Sequence, residues 1–276
     1  MTPRAKRSIL YWLLMSPLMI AILFPFGVMF VTAFRPREEL WVYPPTWSFS
    51  EFRWLNFVEM WDKVNFGQAL INSLYVSITS TLLALLIGIP AAYALSRFRF
   101  KGKGLYRQFL LVTQMMSPIV LVLGLFRLMV YFGLVNSPNS LVFTYAAFNL
   151  AFTIWMLQSY FSTIPRELEE AAKIDGASSF ISLTKIFLPL AVPAMAVTAI
   201  FTFINSWNEF VLALTMLRSQ ESYTLTVMVF AQVAGRYQVE WHHVMAATLL
   251  ATVPVAILFS WLQRYMVRGM AIGAVK

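Results

Sequence analysis

Apolar residues in this chain come in long blocks separated by short clusters of charge, not in the alternating or three-and-four patterns of soluble elements. Stretches free of Asp, Glu, Lys and Arg run over 8–34, 64–96, 108–126, 128–165, 186–208 and 241–263. A helix crossing ~30 Å of hydrocarbon at roughly 1.5 Å per residue needs about 20 apolar residues. The stretch 128–165 exceeds one span and contains Asn136-Ser137-Pro138-Asn139, a turn signal, so its span starts near Ser140. The pattern predicts six transmembrane helices over about 9–34, 69–96, 107–132, 140–161, 186–217 and 243–265, in one all-α polytopic membrane domain covering 1–276. The uncharged segment 222–235 is too short to span and is expected to be re-entrant or surface-lying.

Composition closes off the soluble alternatives. Hydrophobic residues make up 59% and charged residues 12%, against roughly 45–50% and 25% in soluble domains. A soluble enzyme, a disordered tail and a secreted disulfide scaffold are excluded. With 0 Cys there is no disulfide, thiolate metal site or iron–sulfur cluster. The first apolar run, behind Arg4, Lys6 and Arg7, is too long for a signal peptide and lacks a small-x-small cleavage site. It should remain as a helix with a cytoplasmic N-terminus, and six spans return the C-terminus to the cytoplasm. Lys and Arg agree: 14 fall in segments assigned inside and 6 in segments assigned outside. That bias accounts for the net charge of +9 and leaves no call for a nucleic-acid partner. Trp41, Trp47, Trp54 and Trp61 in the outside segment 35–68 read as an interfacial aromatic belt or as a docking surface for an external partner.

The cytoplasmic loop 162–188 reads as helix, turn, helix. Pro165 suits a first helical position, and Glu167, Glu169 and Glu170 complement the positive helix N-terminus. Gly176 fits just past the helix end, and Ser178 or Ser179 can cap the next helix. Leu168, Ala171 and Ala172 share a small apolar face that suits close approach by another protein, or by the membrane surface.

Glu170-Ala171-Ala172, Gly176 and Ile186-Phe187-Leu188-Pro189 together resemble the Glu-Ala-Ala loop of bacterial ABC importer permeases. Further matching segments are Asn72-Ser73, Ala91 to Phe98, Gln114-Met115, Ile164 to Glu170, Ser206 to Phe210, Gln263-Arg264-Tyr265 and the end Gly273 to Lys276, although a terminal Gly often found in the family is absent. These resemble the maltose-type branch, which takes up sugars, oligosaccharides, polyols and glycerol phosphates. The resemblance implies the type I importer fold in a bacterial inner membrane. It also implies a second homologous permease, an ATPase dimer carrying ATP and Mg, and an extracytoplasmic solute-binding protein. Glu169, Glu170, Ala171, Ala172, Asp175 and Gly176 would then couple to the ATPase. The small, nearly uncharged tail 266–276, with Gly269, Gly273 and Lys276, would enter the ATPase interface.

The chain lacks a phosphate loop, a His-Glu-x-x-His zinc motif and a Gly-x-Ser-x-Gly elbow. A non-catalytic permease without its own cofactor is therefore expected; an importer for a non-carbohydrate solute and a six-span intramembrane enzyme are the alternatives. His242 and His243 point about 100° apart on a helix, a poor shared metal site, and read as interfacial residues. Asn205, Asn208 and Glu209 share one face of the fifth span and are either a polar pathway wall or a packing contact between helices. Asn72, Gln114 and Ser117 are further pathway candidates. Arg127 and Glu209 each lie 20 residues into inside-starting spans, so they are expected at one depth and to form an ion pair.

Overall fold

The computed structural model describes the backbone of residues 3–42, 52–234 and 238–273, and the side chains of 11–40, 42, 52–234 and 238–261. Among these residues all regular structure is helical. Helix α1 is Pro3–Phe34, α2 Leu55–Lys63 and α3 Phe66–Arg97. Helices α4 (Lys103–Met115) and α5 (Pro118–Tyr131) meet at a break bent by 97°. Helix α6 is Pro138–Thr163, α7 Arg166–Ile174 and α8 Ser179–Ser182, which passes through a π-helical turn, Leu183–Phe187, into α9, Leu188–Asn208. The short α10 (Val211–Met216) and α11 (Leu225–Val233) precede α12, Trp241–Gly273. Five of these are long and apolar enough to cross a membrane, six if α4 and α5 form one broken span.

Two expected spans are interrupted. The third, read as one helix over 107–132, breaks where Pro118 forces Ser117 into an extended backbone (φ −70°, ψ 133°). The fifth, read over 186–217, stops at Asn208. There Glu209 turns extended (φ −68°, ψ 131°) and its carboxylate accepts from the N–H groups of Leu212 at 2.9 Å and Ala213 at 3.2 Å, starting α10. Segment 222–235 contains α11. The expected tail is helical as far as Gly273; Lys276 and the side chains of 262–273 lie outside the described residues.

Residues 1–67 and 229–253 pack as one unit, 68–228 and 254–276 as another. In the first unit Asn56 of α2, fully buried, donates to the Ala33 and Arg35 carbonyls at 2.9 Å each, fastening α2 to the end of α1. Within α1, Pro17 removes the N–H that would bond the Leu13 carbonyl, and the Ser16 hydroxyl donates to it instead at 3.2 Å. The second unit has its core along α3, α6 and α9, with Leu157, Phe161, Phe187 and Ala191 fully buried. Helix α3 approaches α6 closely at Gly88, where an added Cβ would lie 2.6 Å from Thr153 Cγ2.

Candidate functional site

The loop after α6 is built as its sequence suggests, with one shift. Pro165 caps α7 from outside (φ −55°, ψ 141°) and Arg166 takes the first helical place. At the far end Gly176 sits at φ +84°, the left-handed region open to glycine. Its N–H bonds the Lys173 carbonyl at 3.1 Å, and the Ala177 N–H bonds that of Ala172 at 2.9 Å, closing a Schellman turn. The Ser178 hydroxyl then accepts from the Ile181 N–H at 3.3 Å and caps α8.

The two faces of α7 differ in a way the sequence did not reveal. Glu169 and Ala172, expected to meet the ATPase, point into this chain and are 5% and 8% exposed. Glu169 is drawn inward by opposite charge: Arg97 Nε stands 3.7 Å from its carboxylate, Lys173 Nζ 2.9 Å away, and the Tyr93 hydroxyl donates at 3.3 Å. Arg97, at the end of α3, also donates to the Phe161 and Ile164 carbonyls at 2.9 and 2.6 Å and lies over the Phe187 ring at 4.6 Å. One guanidinium thus ties together the ends of α3 and α6, the π-helical turn and α7. The outward face carries Glu170, Ala171 and Asp175 with Leu168, Ile174 and Phe180, the last two 87% and 73% exposed.

The second feature is a polar cavity of about 290 Å³ in the membrane-spanning body, lined by Asn149, Asn205, Ser206, Asn208, Glu209 and Pro118 together with aromatic and aliphatic side chains. Both helix breaks border it, at Pro118 and at Glu209. Non-helical backbone at membrane depth is tolerated where protein buries it or where it lines a watery cavity. The Glu209 carboxylate accepts from the Tyr145 hydroxyl at 2.6 Å. Asn205 donates to Asn149 at 3.3 Å, and Asn149 to Ser206 at 3.2 Å. Asn208 is exposed on the same wall. Asn205, Asn208 and Glu209 thus all line one cavity, and Asn205 and Glu209 also bond to α6 through Asn149 and Tyr145.

Other expected pathway residues lie elsewhere. Asn72 is buried and donates to the Glu221 and Tyr223 carbonyls at 2.8 and 3.1 Å, while the Ser73 hydroxyl accepts from the Leu225 N–H at 2.8 Å. This pair anchors the 221–225 connection and does not line the cavity. Gln114 borders an apolar hollow with Phe152 and Trp155, and Ser117 stands at the start of α5 before Pro118 without a side-chain capping bond. No ion pair joins Arg127 to Glu209 among the described residues. Arg127 is exposed, and the Glu209 charge is met by Tyr145 and two backbone N–H groups. The 97° bend between Arg107 and Arg127 takes the third span off a straight line, so 20 residues no longer carry Arg127 to the depth of Glu209.

Broken apolar helices bordering a polar cavity, with an outward helix-turn-helix held by a buried ion pair, define a membrane permease. The chain belongs to the binding-protein-dependent transport system inner membrane component family, whose pattern it matches over residues 84–272. It is a multi-pass inner-membrane ABC importer permease and has no catalytic role. It is 39% identical over 213 residues, 77% of each chain, to the trehalose/maltose transport system permease protein MalG of Thermococcus litoralis. It is 33% identical over 261 residues, 94% of each chain, to the diacetylchitobiose uptake system permease protein DasC of Streptomyces coelicolor. In fold it is similar to a chain of a bacterial ABC transporter that imports the acidic polysaccharide alginate, with a TM-score of 0.80 at 22% identity over 96% of this chain and 99% of that one.

Proposed function

We propose that this chain is one of two permease subunits of an ATP-driven importer for a carbohydrate or polyol, working with an ATPase dimer that holds ATP and Mg and with an external solute-binding protein. The observation that carries the coupling role is the outward face of 168–180. It sets apolar Leu168, Ile174 and Phe180 beside acidic Glu170 and Asp175 in the cytoplasmic loop, where the other face of α7 is fastened through Arg97 to the ends of α3 and α6. A displacement of the ATPase against that face is transmitted through Arg97 and Glu169 into α3 and α6. Lipid surrounds the spans, and the polar cavity forms this chain's share of the pathway, where amides and a carboxylate suit hydroxyl-rich solutes. The carbohydrate class is supported by the trehalose/maltose and diacetylchitobiose systems named for its relatives.

The chain has 0 Cys, so a cysteine introduced at Ile174 is unique. In the reconstituted importer it should cross-link to the ATPase subunit, and uptake should be supported by di- or oligosaccharides and not by amino acids. Failure of the ATPase to co-purify or cross-link overturns the coupling role. Uptake driven only by an amino acid overturns the carbohydrate assignment.

A further inference from the structure

His242 and His243, read from sequence as interfacial and splayed, are both buried in the first turn of α12, 5% and 0% exposed, with ring centroids 4.1 Å apart. Acidic side chains lie on both sides of His243. His243 Nδ1 lies 2.9 Å from Glu240 Oε2, and its Nε2 lies 3.4 Å from Glu59 Oε2 on α2. A neutral imidazole carries one N–H. Glu240 occupies Nδ1, and Nε2, although 3.4 Å from Glu59, is buried without a hydrogen-bond partner. His242 Nδ1 is likewise buried with no hydrogen-bond partner, so two imidazole nitrogens that could bind a metal are left over in the protein interior.

One ligand atom from each of Glu240, His242 and His243 can be chosen so that all lie within 4.8 Å of one another. Tetrahedral zinc with bonds of about 2.0–2.2 Å holds its ligands roughly 3.3–3.5 Å apart, a separation reached from here by small side-chain rotations. We propose that Glu240, His242 and His243 form a binding site for a divalent transition metal of the zinc type, with Glu59 as the outer carboxylate 3.4 Å from His243 Nε2. Glu59 is suited to that outer place because Arg53 at 2.7 Å and Lys63 at 3.3 Å already hold it. Glu240 Oε1 faces Arg37 at 3.6 Å, which leaves Oε2 on the histidine side. Two imidazoles and a carboxylate match the preference of zinc, and a fourth position remains for water. A carboxylate behind a ligating histidine fixes its tautomer. The metal would brace the start of α12 against α2, both within the unit formed by 1–67 and 229–253.

The chain contains 2 His and 0 Cys, so imidazole-bound metal can reside only here. The full chain, purified on a histidine-free tag and stripped with chelator, should retain about one zinc ion after dialysis. Co²⁺ in its place should give the intense visible absorption of a tetrahedral nitrogen–oxygen site. His242→Ala and Glu240→Gln should abolish retention, and Glu59→Gln should weaken zinc about 10–100-fold. Zinc should raise the unfolding temperature of the unaltered chain but not that of His242→Ala, each compared with its own metal-free form. Zinc retention at background in the unaltered chain overturns the proposal, as does retention undiminished by His242→Ala.

Discussion

Replacing Arg97 with Met tests whether the coupling helix is held by a buried charge pair. The side chains of Arg97 and Glu169 are 4% and 7% exposed, so water screens the pair little. Methionine matches the length of the arginine stem but removes the guanidinium. The Ile164 carbonyl then loses the guanidinium, the Phe161 carbonyl keeps the Ile164 N–H at 3.3 Å, and Glu169 keeps Lys173 and the Tyr93 hydroxyl. Breaking a buried pair from one side costs about 3–5 kcal/mol. Lys173, whose side chain is 54% exposed, compensates partly and places the loss near ~3 kcal/mol. Glu169→Gln keeps an acceptor for Tyr93 and leaves Arg97 its two carbonyls, so its cost is nearer ~1–2 kcal/mol. The double variant should then be more stable than the sum of the single losses by at least about 1 kcal/mol. Stability is read by denaturant unfolding of the purified chain, and coupling by the ratio of solute taken up to ATP hydrolysed in proteoliposomes. That ratio should fall while ATP hydrolysis persists, because the helix that receives the motion is no longer tied to the spans. Additive losses, or Arg97→Met with an unchanged transport ratio, would refute the latch.

Gly176→Val should cost about 1–3 kcal/mol, from backbone strain alone at φ +84°, since nothing lies within 4 Å of the added Cβ. ATPase co-purification should drop while membrane insertion, followed by protease protection, persists. Gly88→Ala should push α3 from α6 through the contact with Thr153 and cost about 1–3 kcal/mol; the variant paired with Thr153→Ala should recover part of that loss in the same unfolding assay. Arg127→Met should change stability by less than about 0.5 kcal/mol, whereas Tyr145→Phe should cost about 1.5–3 kcal/mol by removing a hydrogen bond to the Glu209 carboxylate. A larger loss from Arg127→Met than from Tyr145→Phe would restore the ion pair.

The spans were legible because a bilayer selects uncharged stretches whatever they later pack against. The Gly176 turn was legible for a similar reason: a left-handed backbone has a local chemical signature. Other features depended on partners far away in sequence. Glu169 looked like an exposed acid at a helix start until the fold brought Arg97 beneath it. Glu209 looked like a charge seeking a distant cation, but the helix break beside it let its own backbone meet that charge. The signal for the other break was present in Ser117-Pro118, yet proline inside α1, α3 and α12 leaves those helices continuous, so proline alone does not decide.

Helices α1 and α6 differ in how much of themselves they give to the fold. None of the apolar window of Tyr11–Phe34 is buried within the chain, against 61% of that of Pro138–Thr163. Within this chain the window of α1 meets no close-packed neighbours, so the chain itself asks of it only oiliness and length. That of α6 answers to particular neighbours, which ask for shape. Under saturation mutagenesis, Leu, Ile, Phe, Val and Met should interchange freely over 11–30, while the buried face of α6 around Ala146, Ile154 and Leu157 should accept almost no change of volume. Among importers of this kind, the first helix is then free to drift in spelling at constant meaning, and the sixth is held letter by letter.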